Sequence, residues 1–76
     1  MVLSELKIGQ IANIVNLHDV EPVMRKKLLN FGFLPQAKIE LLRSAPMGDP
    51  LAIRCANSSI AIRKTLASQI TVELRV

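Results

Sequence analysis

The sequence predicts a mainly β fold, a small closed or half-closed barrel of about five short strands with one inserted helix. Three observations predict it. Apolar and polar residues alternate through most of the second half, the period of a strand with one covered face. A single helical stretch, bounded by Pro22 and Gly32, interrupts that pattern. The chain has 76 residues, read as one domain (1–76) near the size at which one core only just suffices. Closing the sheet then removes edges that would otherwise invite aggregation.

The elements follow in order. Residues 10–17 are the first strand candidate: Ile11, Asn13, Val15 and Leu17 share one face, while Ala12 and Ile14 make the other partly apolar. Such a strand is expected where both faces are covered. The one substantial helix is expected over residues 21 to 31 or so. Glu21 brings negative charge to the positive helix end, and Pro22 suits the first turn, where its missing N–H has no partner to lose. Met24, Leu28 and Phe31 recur at helical spacing as one apolar stripe, with Arg25, Lys26 and Lys27 to its side and back. Gly32 closes the helix and Pro35 forbids a restart.

Beyond the helix the alternation is cleaner. Residues 38–43 point Ile39 and Leu41 inward, and residues 51–56 point Leu51, Ile53 and Cys55 inward. Asn57-Ser58-Ser59 signals a tight turn, after which Ile60 and Ile62 continue the inward face. A short helical turn is expected over residues 63 to 68. The last strand, 70–76, sets Ile70, Val72, Leu74 and Val76 inward against Thr71, Glu73 and Arg75.

The connector Ala45-Pro46-Met47-Gly48-Asp49-Pro50-Leu51 lies between two alternating strands. Its prolines cannot sit within a ladder, so it must run outside the sheet on a stiff path. An apolar Met47 at its centre makes it a candidate contact surface.

Composition excludes more than it assigns. The lone Cys55 rules out an intramolecular disulfide, and its inward position makes it a small core residue. His18 is the only histidine; Asp19, Glu21 or Cys55 could pair with it, but a lone His at a strand end reads as a solvated polar residue. One His, one Cys and scattered acids do not make an iron or zinc site within one protomer, so no metal, cofactor or catalytic residue is expected. Gly9, Gly32 and Gly48 are too far apart for a phosphate-binding loop. No run approaches the roughly twenty apolar residues of a membrane span, and the first residues do not read as a signal peptide, so a cytoplasmic protein without membrane insertion is expected. Net charge +4 favours an acidic partner. With no Trp or Tyr, stacking on bases or gripping a proline-rich peptide is not expected, and no specific nucleic acid is named.

Several landmarks occur together: Leu6-Lys7-Ile8-Gly9 before the first strand, the run from Arg25 through Leu28-Leu29-Asn30-Phe31-Gly32-Phe33-Leu34-Pro35, the run from Arg43 to Leu51, and Ile60-Ala61-Ile62-Arg63-Lys64. In this order the chain resembles the ferrous iron transport protein A (FeoA) family over essentially its whole length, most specifically at residues 43–51. Two departures are visible. The family usually has Gly where this chain has Gln36, and commonly has a hairpin Gly where this chain has Asn57.

The resemblance implies an SH3-like β-barrel in the cytoplasm. It would be a non-enzymatic accessory of the membrane ferrous-iron transporter FeoB, whose cytoplasmic end carries a GTP-hydrolysing domain. An arginine finger for that domain would need one Arg in reach of the partner's phosphates. Arg25, Arg43, Arg54 and Arg63 are formally available, and nothing singles one out. Partner contact is expected instead on the helix exit and proline loop, at Arg25, Lys26, Leu29, Phe33, Leu34, Met47 and Gly48. Two alternatives stay open. The same barrel ends metal-dependent repressors, which suggests a regulatory or oligomerisation module, although no helix-turn-helix precedes it here. A small basic nucleic-acid-binding barrel is favoured by charge and opposed by the missing aromatics. A homo-oligomer through an apolar patch or strand edge is left open too.

Overall fold

Every second residue of the segment Leu51–Cys55 is buried, and Ile39 and Leu41 are buried beside it, so the alternating stretches do lay one apolar face onto a common core. The computed structural model describes residues 1–75. A short 3-10 turn (Leu3–Glu5) precedes β1 (Ile11–Asn16), α1 (Pro22–Asn30), β2 (Lys38–Ser44), β3 (Leu51–Cys55), β4 (Ser58–Ile62), a one-turn α2 (Lys64–Ala67) and β5 (Thr71–Leu74). The five strands form one antiparallel sheet in the order β4-β3-β2-β1-β5. It is mainly β with one main helix, as expected, and half-closed, since among the described residues β4 and β5 end the sheet without pairing to each other.

The core is aliphatic apart from Phe33 and Cys55, and no polar or charged residue among those described is buried. β1 corrects the expectation for the first strand. Its inward residues are Ala12 and Ile14, whereas Val15 is exposed. Register decides this: Ala12 stands opposite Ile39 and Ile14 opposite Val72, the inward residues of the flanking strands. With a side-chain period of two, matching those neighbours leaves Ile11, Asn13 and Val15 outside. A register shift between Ile14 and Asn16 then lets Leu17 return to the core just past the strand.

The end of α1 brings a second correction. Phe31, expected in the helix stripe, is 57% exposed, while Phe33 has no exposed surface. The helix stops at Asn30 with Phe31 as its cap, and Gly32 adopts φ +94°. The Gly32 N–H then donates to the Leu29 carbonyl and the Phe33 N–H to the Leu28 carbonyl, both at 3.0 Å. This paired return of the chain places the second residue after the cap against the helix's inner face, so Phe33 meets the buried Leu28.

Two turns also differ. The β3–β4 connection is Ala56-Asn57, with Ser58 and Ser59 already in β4, and the positive φ (+56°) falls on Ala56. Gln36, at the position where the resembled family usually has glycine, has φ +75°. In the last strand Leu74 is partly exposed rather than inward. The expectation for Val76 lies outside the described residues.

Candidate functional site

The proline loop has a defined path. The Ala45 N–H donates to the Pro50 carbonyl at 3.0 Å and the Gly48 N–H to the Ala45 carbonyl at 2.7 Å. Asp49 Oδ1 accepts from the Lys64 N–H at 2.9 Å, which ties the loop to the start of α2. Met47, at the tip, is 92% exposed. Gly48 beside it has φ +84°, a conformation that a residue with a side chain resists.

The helix-exit residues divide. Lys26, Leu29 and Leu34 are exposed. Phe33 is sealed in the core and offers a partner nothing, which removes it from the expected contact set. Arg25 is already committed. Its Nε donates to the Leu17 carbonyl at 3.2 Å, and its Nη2 to the carbonyls of His18 at 3.2 Å and Val20 at 2.9 Å. The guanidinium therefore holds the β1–α1 turn onto the helix. Among the described residues no hydrogen bond joins the helix exit to the proline loop.

The remaining chemistry is sparse. Cys55 Sγ lies 3.4 Å from the Gly32 carbonyl oxygen, and burial raises its thiol above the ordinary value, which disfavours the nucleophilic and metal-binding thiolate. Arg54 pairs with Glu40 at 3.8 Å, and both Arg43 and Arg63 are exposed. Among the described residues no three His, Cys, Asp or Glu side chains gather where one ion could be held. Among the described residues no helix is long and apolar enough to cross a membrane.

One feature escaped the sequence. An apolar groove of about 690 Å³ runs between α1 and β4, with Thr65 and Leu66 of α2 also lining it. Val23, Lys27 and Phe31 form its helical wall, with Val23 65% exposed. The available signal was angular. At about 100° per residue, Val23 and Leu29 fall on opposite flanks of the buried Leu28, so one core-facing stripe could not take both.

Comparison with known proteins places the chain. The family model of the FeoA domain matches residues 1–74. The Fe(2+) transport protein A/Fe(2+) transporter FeoB fusion protein of Porphyromonas gingivalis is 36% identical over 74 residues, 97% of this chain and 9% of that protein. The chain thus spans about a tenth of that relative's length. The solution structure of FeoA protein from Chlorobium tepidum is 37% identical and superposes with a TM-score of 0.95, covering 100% of this chain and 71% of that one. The crystal structure of Stenotrophomonas maltophilia FeoA with zinc, an SH3 domain protein, is 24% identical with a TM-score of 0.84 over 96% of this chain and 89% of that one. At that identity the likeness speaks for the SH3-like fold.

Proposed function

Because the chain belongs to the FeoA domain family, which serves ferrous iron transport, we propose that it is a non-enzymatic cytoplasmic adaptor of a FeoB-type transporter. It binds the transporter's cytoplasmic part and modulates it. The observation that carries this reading is the fusion relative, in which the homologous domain and a FeoB transporter share one polypeptide. Covalent linkage holds two domains at a high effective concentration, an arrangement that favours contact between them.

The surface supports contact by shape and charge rather than chemistry. Met47 projects from a loop pinned at both its base and Asp49, so little backbone entropy is lost when it is buried. Lys26, Leu29 and Leu34 at the helix exit, with Gly48 beside Met47, complete the proposed contacts.

Binding of the full chain to the purified cytoplasmic domains of a FeoB transporter, measured by calorimetry, tests the reading. Met47→Asp and Leu34→Asp alter exposed side chains only, and each is expected to weaken binding by about tenfold or more, as removal of an apolar anchor does. Absence of binding by the unaltered chain would refute the adaptor role. Unchanged binding of both variants would remove loop and helix exit from the interface.

A further inference from the structure

We propose that the groove between α1 and β4 takes an extended apolar segment of another protein, flanked by acidic residues, which joins the sheet beside β4 as an added strand. The two edges of the sheet are treated differently. The β5 edge is covered by the chain's own start: Val2 bridges Thr71, and the Leu3 N–H donates to the Ile70 carbonyl at 2.9 Å. The Val72 N–H donates to the Met1 carbonyl, also at 2.9 Å. Along β4, among the described residues, backbone hydrogen bonds run only to β3.

Open edges are normally guarded by charge, proline or a bulge. The segment Ser58–Ile62 reads Ser-Ser-Ile-Ala-Ile, without charge or proline, and pairs with β3 in unbroken register. Its backbone stands as a ready template.

The groove reaches that backbone. Ile60, Ala61 and Ile62 all line it, although successive strand side chains point to opposite faces. Consecutive residues line one groove only where the strand meets it edge-on. Facing them, Val23 and Phe31 offer apolar surface to alternate side chains of an incoming strand, the arrangement by which strand addition gains both affinity and selectivity.

Charge selects the segment. Lys27 and Arg63 stand along the groove, and its one acid, Glu21, is occupied in accepting from the Val23 and Met24 N–H groups at 3.1 and 3.2 Å. A second copy of this chain would bring the same basic rim against its own, which disfavours self-pairing. An acidic, alternating segment meets complementary charge.

The test uses the full chain and a capped synthetic peptide, Asp-Glu-Ile-Thr-Val-Thr-Ile-Glu-Asp, with a control in which lysines replace the acids. Titration followed by amide resonances should give binding about tenfold tighter for the acidic peptide at low salt, from charge complementarity. At saturation the β4 amides should exchange about tenfold more slowly as they gain a strand partner. Phe31→Asp, at an exposed position, should weaken binding about tenfold, and Lys27→Glu should reverse the preference between the two peptides. No binding of the acidic peptide, binding without slowed exchange in β4, or wild-type affinity in Phe31→Asp would overturn the proposal. So would a concentration-dependent dimer protecting β4 without peptide, which would assign the edge to a second copy. The inference goes beyond the transporter reading and stands apart from it, since peptide binding and transporter binding can fail separately.

Discussion

Asp49 Oδ1 accepts a hydrogen bond from the backbone N–H of Lys64 at 2.9 Å, fifteen residues along the chain. Lys64 opens α2, and Arg63, at the cap position, supplies no side-chain cap of its own. The loop thus provides a cap that the helix lacks, and the helix fixes the loop that presents Met47. Asp49→Ala should destabilise the protein by about 1 kcal/mol, the usual cost of losing a cap acceptor. Asp49→Asn, which keeps the acceptor, should lose less. Urea unfolding of the two variants measures this; equal stability of Asp49→Ala and the unaltered chain would show the bond to be inconsequential.

Arg25 should behave as a structural residue rather than a surface charge. Its guanidinium donates to three carbonyls at once, from Leu17, His18 and Val20. A lysine ammonium has no planar fork and cannot reproduce that geometry. Arg25→Lys should cost about 2 kcal/mol, given the worth of hydrogen bonds from charged groups. Lys26→Ala, at an exposed neighbour, should stay within about 0.5 kcal/mol. Comparable losses in the two variants would contradict the assignment.

The two phenylalanines differ sharply although they are two residues apart. Phe33→Ala removes a fully buried ring and should cost about 3–5 kcal/mol, a large part of the stability of so small a domain. Phe31→Ala, at a groove wall open to solvent, should change stability by about 0.5 kcal/mol or less. Thermal unfolding monitored by circular dichroism distinguishes them, and a larger loss for Phe31→Ala would reverse the fold description of this turn.

That pair shows where the sequence was legible and where it was not. Period-two alternation read β2 and β3 correctly, because Ile39, Leu41, Ile53 and Cys55 each have a charged neighbour and Leu51 keeps their period. In β1, Ile11, Ala12, Ile14 and Val15 are apolar on both faces, so only the partner register could choose between them. Helical spacing favoured Phe31, but the Gly32 turn that folds Phe33 inward depends on backbone dihedrals that spacing does not record. The groove was hidden for a related reason: the β4 edge becomes visible only once strand order is known, since pairing of β4 with β3 alone says nothing about its far side.

Cys55 should be silent toward electrophiles in the folded chain. Burial holds its thiol pKa above the ordinary value, so the reactive thiolate is scarce and shielded. Labelling by iodoacetamide at pH 8 should run much more slowly than for the urea-unfolded chain. The linkage has a definite sign. The folded state holds this proton more tightly than the unfolded one, so the thiol's contribution is fully present below the unfolded pKa. It is lost as pH rises through the folded value. Stability attributable to Cys55 should therefore fall in the alkaline range, and Cys55→Ala should flatten that fall. Rapid labelling of the native chain would show the residue to be more open than described.

The positive φ values of Gln36 (+75°) and Ala56 (+56°) place two side-chain-bearing residues where glycine is favoured. At Gln36 the conformation is enforced by a 2.7 Å bond from its N–H to the Ile14 carbonyl, which closes the helix exit onto β1. At Ala56 it is enforced by the two-residue connection between Cys55 and Ser58, paired partners across β3 and β4. A left-handed residue with a Cβ costs about 1–2 kcal/mol, against roughly 0.5–1 kcal/mol of extra chain entropy that a glycine would lose on folding. Gln36→Gly and Ala56→Gly should each stabilise the protein by about 0.5–1 kcal/mol, and the effects should add because the turns are separate. In urea, the midpoint should rise with an unchanged slope. A lower midpoint in either variant would mean that its side chain makes contacts worth more than the strain it carries.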